Sequence, residues 1–204
     1  MRADVAGLLT TFNQTADRVA MHAVRRTLVK AQAAAAGLPL YAVELPWPCS
    51  NEDYERRMAE ACRAAVADGF EAIAFGDLFL CDVREYRERQ LTGSGLVPLF
   101  PLWEMPTRDL AQEMIRGGLR ARITCVDKKA LGADAARFAG REFDPALLAD
   151  LPPDADPCGE NGEFHTFAHA GPMFQHAIPV AAGELRDADG FVFADLIPIA
   201  AEAA

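Results

Sequence analysis

Positive charge is what this 204-residue sequence is short of: 20 Lys and Arg stand against 30 Asp and Glu, a net charge of −10. A broad basic patch for gripping a phosphate backbone is thereby excluded, and no nucleic-acid partner is expected. Long hydrophobic runs are also lacking. No apolar stretch approaches the roughly 20 residues that a membrane-spanning helix needs. An acid interrupts the start, Met1-Arg2-Ala3-Asp4, before a signal-peptide core can form. The expected location is the cytoplasm, with no membrane partner. The five cysteines, Cys49, Cys62, Cys81, Cys125 and Cys158, are odd in number, scattered and never arranged as CxxC. That spacing suggests neither a disulfide framework nor a zinc ribbon, so reduced thiols are the default. Internal repeats are absent.

What remains is a soluble globular composition, 51% hydrophobic, 25% charged and 8% aromatic. The length suits one ordinary domain or one domain with a small appendage. Val5 to Phe12 is a short apolar, β-prone run of the kind that buried parallel strands show. From Met21 to Ala36 the apolar positions Val24, Leu28, Ala31 and Ala35 follow helical spacing, and Gly37 with Pro39 stops the pattern. Leu40 to Leu45 reads as the next strand. Ser50 with Asp53 resembles a capping box opening a second helix that ends near Gly69. Glu71 to Phe75 reads as a strand, Val83 to Leu91 as a charged helix and Leu96 to Leu99 as a strand. Thr107 is expected to cap a helix closed by Gly117-Gly118, and Arg120 to Val126 is the following strand.

This alternation predicts an α/β fold, Rossmann-like with a mostly parallel sheet, because each parallel crossover needs a helix to cover a face. After Asp127 glycine and proline punctuate shorter runs, which suggests a smaller α+β portion. Residues 1–95 are expected to form the α/β domain and 96–204 the second domain, ending in a strand at Phe191 to Ile199 with Pro198 at its edge.

Open α/β sheets bind ligands beyond the carboxyl ends of their strands, so three post-strand segments are candidates. Thr10-Thr11-Phe12 leads into a loop ending at Met21-His22, with Arg25 and Arg26 just inside the predicted helix. An anion at that helix N-terminus is one reading, and a solvated helix start is the other. Phe75-Gly76-Asp77 lets a ligand approach the backbone at Gly76, with Asp77 placed to accept a ribose hydroxyl or to hold a metal through oxygen. Arg84 and Glu88 follow four apart on one helical face, as an ion-pair ladder would also require. The third segment, Asp156 to Phe167, packs Cys158, Glu160, Glu163 and His165 around an Asn-Gly turn. In a strand from Gly162, Glu163 and His165 share a face, and two carboxylates with an imidazole suit proton transfer. An ordinary Asn-Gly hairpin is the competing reading. Cys158 as a nucleophile would need His165 as its base. Zinc on Cys158, His165 and His169 is disfavoured, since residues four apart along a strand lie roughly 13 Å apart. No metal site is expected.

These residues carry a resemblance. Met21-His22-Ala23-Val24-Arg25, Gly76-Asp77 with Arg84 and Glu88, Pro101-Leu102-Trp103, Gly140-Arg141-Glu142-Phe143 and the run Cys158 to Thr166 (CGENGEFHT) occur in the order seen in the diphthine-ammonia ligase family. That family is placed among the PP-loop ATP pyrophosphatases, or adenine nucleotide alpha hydrolases. The resemblance implies an ATP-dependent ligase that adenylates a carboxylate, releases AMP and forms an amide with ammonia. Mg²⁺ is implied by ATP chemistry, and the acceptor would be a carboxylate on a protein or a small molecule. Carried over, Thr11, Met21, His22, Gly76 and Asp77 would contact the nucleotide. Arg84, Glu88, Glu160, Glu163 and His165 would line the acceptor and ammonia side, with a glutamate helping to deprotonate ammonium.

The family's Ser-Gly-Gly-Lys-Asp-Ser phosphate loop, which cradles pyrophosphate on backbone N–H groups, is found nowhere in this sequence. The expectation is a fragment in which the first strand and helix are missing, so that the chain alone is impaired. The alternative is a non-catalytic adenine-nucleotide-binding or interaction protein on the same scaffold. The exposed strand edge that such a loss would create favours a homodimer. Ala23, where the family often has glycine, is expected to cost little if its backbone is helical.

Overall fold

The computed structural model describes residues 4–199. They divide into two compact units, one ending at Asp17 and resuming over Pro39–Met105, the other made of Arg18–Leu38 and the chain from Pro106.

In the first unit, β1 (Leu8–Asn13) pairs in parallel with β3 (Leu40–Leu45), from Leu8 opposite Leu40 to Asn13 opposite Leu45. Phe12, Val43 and Leu45 are buried. The connection between the two strands carries β2 (Arg18–Val19) and α1 (Arg26–Ala36), which belong to the second unit. Helix α2 (Asn51–Ala67) starts where the sequence predicts. Ser50 accepts the Asp53 N–H at 3.0 Å, and its hydroxyl donates to the Asp53 carboxylate at 3.0 Å. Strands β4 (Ala72–Ala74) and β5 (Val97–Leu99) form a parallel pair joined through α3 (Cys81–Leu91). Cys62, Leu91 and Leu96 are the buried centre here, with Ala65, Phe70, Ile73 and Phe75 packed around them.

The second unit holds α4 (Thr107–Arg116), β6 (Arg120–Asp127), the short α5 (Lys128–Leu131), a 3-10 turn at Ala135–Phe138 and α6 (Pro145–Asp150). Strands β7 (Phe164–Ala170), β8 (Val180–Ala188) and β9 (Phe191–Pro198) complete a four-stranded sheet in the order β7-β6-β9-β8. Its core gathers Ile123 and Val126 of β6, Phe164 of β7, Val192 of β9, Phe138, Phe143 and Leu147, all buried. A side chain every second residue along β9 (Val192, Ala194, Leu196) is buried, as a half-covered sheet requires.

The architecture is mixed α/β with parallel and antiparallel sheets. The pairs in the first unit are parallel, as expected of the α/β part, and all pairings in the second unit's sheet are antiparallel, in keeping with a C-terminal α+β portion. The signal for this was a two-residue turn. Asp189 and Gly190 both take positive φ, 54° and 87°, the backbone of a tight hairpin that forces β8 and β9 to run against each other.

Two local expectations change. Helix α1 begins at Arg26 rather than Met21, because Met21 and Ala23 sit at φ 64° and 55°. Left-handed backbone cannot continue a right-handed helix. Thr107 is the first helical residue of α4, not its cap; Pro106 precedes it without a side-chain cap.

Candidate functional site

In the second unit, the segment from Arg18 to Arg25 folds into a tight antiparallel turn. Val19 N–H donates to Val24 O at 2.8 Å, Ala23 N–H to Val19 O at 3.1 Å, and Arg18 bridges to Arg25. Asp195 on β9 locks the turn. Arg18 donates to its carboxylate at 2.8 Å and also to Ala23 O at 2.8 Å, while Arg25 grips both carboxylate oxygens. The hydrogen bond from Arg25, with further help from Arg18, overcomes burial and holds the Asp195 carboxyl down at about 2. Arg25 is therefore neutralised by a partner 170 residues away. Of the two sequence readings at this helix start, the anion site loses the contribution assigned to Arg25.

The acidic turn before β7 is organised by its own carboxylates. Asp156 accepts the Cys158 N–H at 2.7 Å, an Asx turn that opens the loop. Glu163 is buried, and its oxygens accept from Asp156 N at 2.8 Å, Asn161 N at 3.0 Å and Asn161 Nδ2 at 3.0 Å. These bonds turn the Glu163 carboxylate inward as the loop's internal anchor. Glu160 is half-buried at the tip side of the same loop. Gly159, at φ 73°, has no room for a side chain: a Cβ there would lie 2.7 Å from the Phe164 carbonyl oxygen. Cys158 Sγ donates to Thr107 O at 3.3 Å. Burial, then Asp156 and Glu160, push its thiol up to about 12, so it is not a nucleophile at neutral pH.

His165, the second residue of β7, lies across from Cys125 in the sheet register. Its ring stacks on His22, with centroids 4.3 Å apart and planes 20° from parallel. Burial and then the neighbouring His165 lower His22 to about 4; burial also lowers His165. Both imidazoles are held toward the neutral form, His22 the more strongly. Met21 beside this pair is 66% exposed. His169, further along β7, faces the Glu142 carboxylate at 3.1 Å, and Arg122 reaches the other oxygen of Glu142 at 2.9 Å. Among the described residues no group of three or more His, Cys, Asp and Glu is placed to hold a metal ion.

The remaining sequence candidates belong to the first unit. Thr11 lies on β1 opposite Val43. Gly76 follows β4 with open space where a Cβ would project. Asp77 is gripped by Arg87 through two bonds of 2.5 and 3.1 Å. Arg84 makes the ladder pair with Glu88 at 2.8 Å. Its guanidinium also covers the Phe100 ring at 4.8 Å and the Trp103 ring at 4.6 Å. Arg87 lies over Phe75 at 4.4 Å, and Phe75 stacks on Phe100 at 5.6 Å. Each of these arginines lies on an aromatic face with its charge balanced by an acid of the same unit.

Thus Met21, His22, Glu160, Glu163 and His165 lie in the second unit, while Thr11, Gly76, Asp77, Arg84 and Glu88 lie in the first. Sequence reasoning missed Asp195, Arg87 as the partner of Asp77, and the His169–Glu142 contact. Only Arg87 lay within local reach, on the same helix as Arg84. A cavity of about 390 Å³ lined by Arg108, Gln112, Ile115, Arg116, Pro145, Leu148 and Ala149 includes none of the candidate residues.

Residues 106–194 match the diphthamide synthase C-terminal domain. The match begins at Pro106, where the long segment of the second unit begins. A diphthine-ammonia ligase from Bos taurus is 35% identical over 128 residues, 59% of this chain and 47% of that protein. One from Mus musculus is 36% identical over 103 residues, covering 48% and 38%. The Homo sapiens protein of that name is 34% identical over 128 residues, covering 59% and 47%. Over residues 106–194 the chain is similar to the diphthamide synthase C-terminal domain, and over that stretch and beyond it to diphthine-ammonia ligases. It spans about half the length of the curated relatives it matches. The acidic turn, β7 and the His165 side of the imidazole pair all fall inside the matched domain. No helix among the described residues is long and apolar enough to cross a membrane.

Proposed function

We propose that this chain serves an ATP-dependent ligation in which a carboxylate is activated as an acyl-adenylate and ammonia displaces AMP to form an amide. The observation that carries the reading is the stack of His22 on His165, which joins the Met21–Arg25 and Cys158–Thr166 segments in one unit beside a pre-formed acidic turn. An amide-forming step needs an uncharged proton acceptor, a carboxylate to favour ammonium near it, and a loop whose shape does not depend on substrate. The imidazoles, Glu160 and the Asp156–Glu163 loop supply these in turn. Glu163, spent on three N–H donors of its own loop, acts in this reading by shaping the turn.

On the nucleotide side, Gly76 leaves the backbone after β4 open to a ligand. Asp77, oriented by Arg87, is an acceptor for a ribose hydroxyl, with Thr11 on β1 as a further nucleotide contact. The Arg84–Glu88 pair, stiffened by Phe100 and Trp103, would meet the acceptor carboxylate. Mg²⁺ bound mainly through phosphate asks one or two carboxylates of a protein. Asp77 is already committed to Arg87, which leaves it poorly placed to hold the ion. The acceptor is a carboxylate of a protein or a small molecule, and the setting is the cytoplasm, where ATP is available and thiols stay reduced.

The test is an assay of the full chain with ATP, ammonium and candidate carboxylates, reading AMP, pyrophosphate and amide. Matched but slow release of AMP and amide is the expected result, because the sequence carries no Ser-Gly-Gly-Lys-Asp-Ser loop to hold pyrophosphate. Titration calorimetry with AMP and ATP separates the second reading: equal, weak affinity for both with no turnover would identify a non-catalytic nucleotide-binding protein. Failure to bind either nucleotide would overturn both.

A further inference from the structure

We propose that His22 is a positioning residue for His165, its ring capping one face of the His165 imidazole so that this imidazole takes the proton from the ammonia nitrogen as the amide forms. The inference rests on the ligase reading, but its geometric half stands on its own. In the step itself the N–C bond forms at the activated carbonyl carbon and the C–O bond to the adenylate breaks. AMP leaves with that electron pair, and one proton passes from nitrogen to His165.

Geometry assigns the roles. The two rings are stacked, 4.3 Å between centroids and 20° between planes, so their in-plane nitrogens do not point at each other and no proton passes from ring to ring. His22 therefore acts by covering. It hides a face of His165 from water, and burial is what disfavours the charged form of that imidazole. The charged and titratable neighbours leave this arrangement alone. Cys125, opposite His165 on β6, is a thiol held up at about 11 by burial and Asp127. The Glu163 carboxylate is taken up by the Asp156 and Asn161 donors of its own loop. Arg25, three residues from His22, is held by Asp195, so its charge is balanced. His22 itself sits in a turn fixed from both sides by the Arg18–Arg25 bridge. A flexible loop would not hold a ring flat on its partner.

The experiment follows the ring C–H signals of the histidines by proton NMR across pH 4–8 in the wild type, His22→Ala and His22→Phe. In parallel, it measures the pH profile of amide formation in each. His165 is expected to titrate below the ordinary value of 6.5 in the wild type and in His22→Phe, which keeps a stacked ring. In His22→Ala it should rise toward 6.5, and the acid limb of the rate profile should rise with it. Should His22→Ala not fold, His22→Gln serves as the second ring-free variant. A His165 midpoint that stays put in the ring-free variants, or moves equally in His22→Phe, overturns the covering role. An acid limb that ignores the His165 midpoint overturns the proton-accepting role. If the wild type makes no amide from any carboxylate, the ligase reading fails, proton-accepting role included, and the NMR titration alone decides the covering role.

Discussion

Ala23 holds φ at 55°, a left-handed backbone that an L side chain occupies at a cost of about 1–2 kcal/mol. Glycine there loses more freedom on folding but avoids the steric term, so Ala23→Gly should stabilise the protein by roughly 0.5–1 kcal/mol. Urea unfolding midpoints at neutral pH would show it; an unchanged or lower midpoint counts against the turn described here. The expectation that alanine costs little rested on a helix through Met21–Arg25, and the helix starts later. The two glycines of the acidic turn behave differently from each other. At Gly162 (φ 87°) a Cβ would enter open space, so Gly162→Ala meets only backbone strain, about 1 kcal/mol. At Gly159 the Cβ would also strike the Phe164 carbonyl at 2.7 Å, so Gly159→Ala should cost roughly 2 kcal/mol or more. Thermal melts of the two variants side by side separate strain from collision.

At the scale of elements, caps and ion pairs decide where segments begin and what they hold. Ser50→Ala removes the side chain that satisfies the Asp53 N–H and should cost α2 about 1 kcal/mol by chemical denaturation. Asp195 joins β9 to β2 and to the residue before α1. Its folded pKa, about 2, is below that of a free carboxylate, so the stabilisation is complete above about pH 4 and disappears as pH falls through 2. Allowing for its partial exposure, Asp195→Asn should lose on the order of 1–2 kcal/mol at pH 7 and progressively less below pH 4. A loss that is the same at pH 7 and pH 2.5 would mean that the carboxylate charge is not what the two arginines hold.

For the molecule as a whole, His22 sets the first stage of the acid response. Its folded value, about 4, is below the unfolded imidazole value of 6.5. The unfolded chain therefore binds this proton first. Stability is full above pH 6.5 and falls, by a limit on the order of 3 kcal/mol, as pH drops toward 4. Unfolding midpoints at pH 7, 5.5 and 4.5 should decline in the wild type and stay flatter in His22→Phe; a wild-type curve flat down to pH 4.5 would refute a buried neutral imidazole. Below the isoelectric point near 4.8 the net charge also reverses, which makes the same comparison between variants more secure than any single curve.

Much of this was legible in the chain because it is local. Helical spacing placed α2, α3 and α4 within a few residues, apolar runs placed β1 and β3, and the cluster around CGENGEFHT was visible as chemistry and as a family resemblance before any coordinates. The change to an α+β portion after Asp127 was visible in glycine and proline punctuation, but the strand order of its sheet was not, because order is set by pairing between segments far apart in the chain. Side chains that meet within one helical turn, Ser50 with Asp53 and Arg84 with Glu88, could be read from spacing, but long-range meetings could not. Nothing short-range relates His22 to His165, Arg25 to Asp195, or Glu142 to His169; each contact is made by strand register and by a turn whose positive φ values sequence spacing does not reveal. Composition, charge and segment order are properties of the covalent chain, so the sequence alone determined the kind of protein and the residues available for chemistry. The protonation of those residues depends on burial and on neighbours brought from far along the chain, and that only the folded arrangement decided.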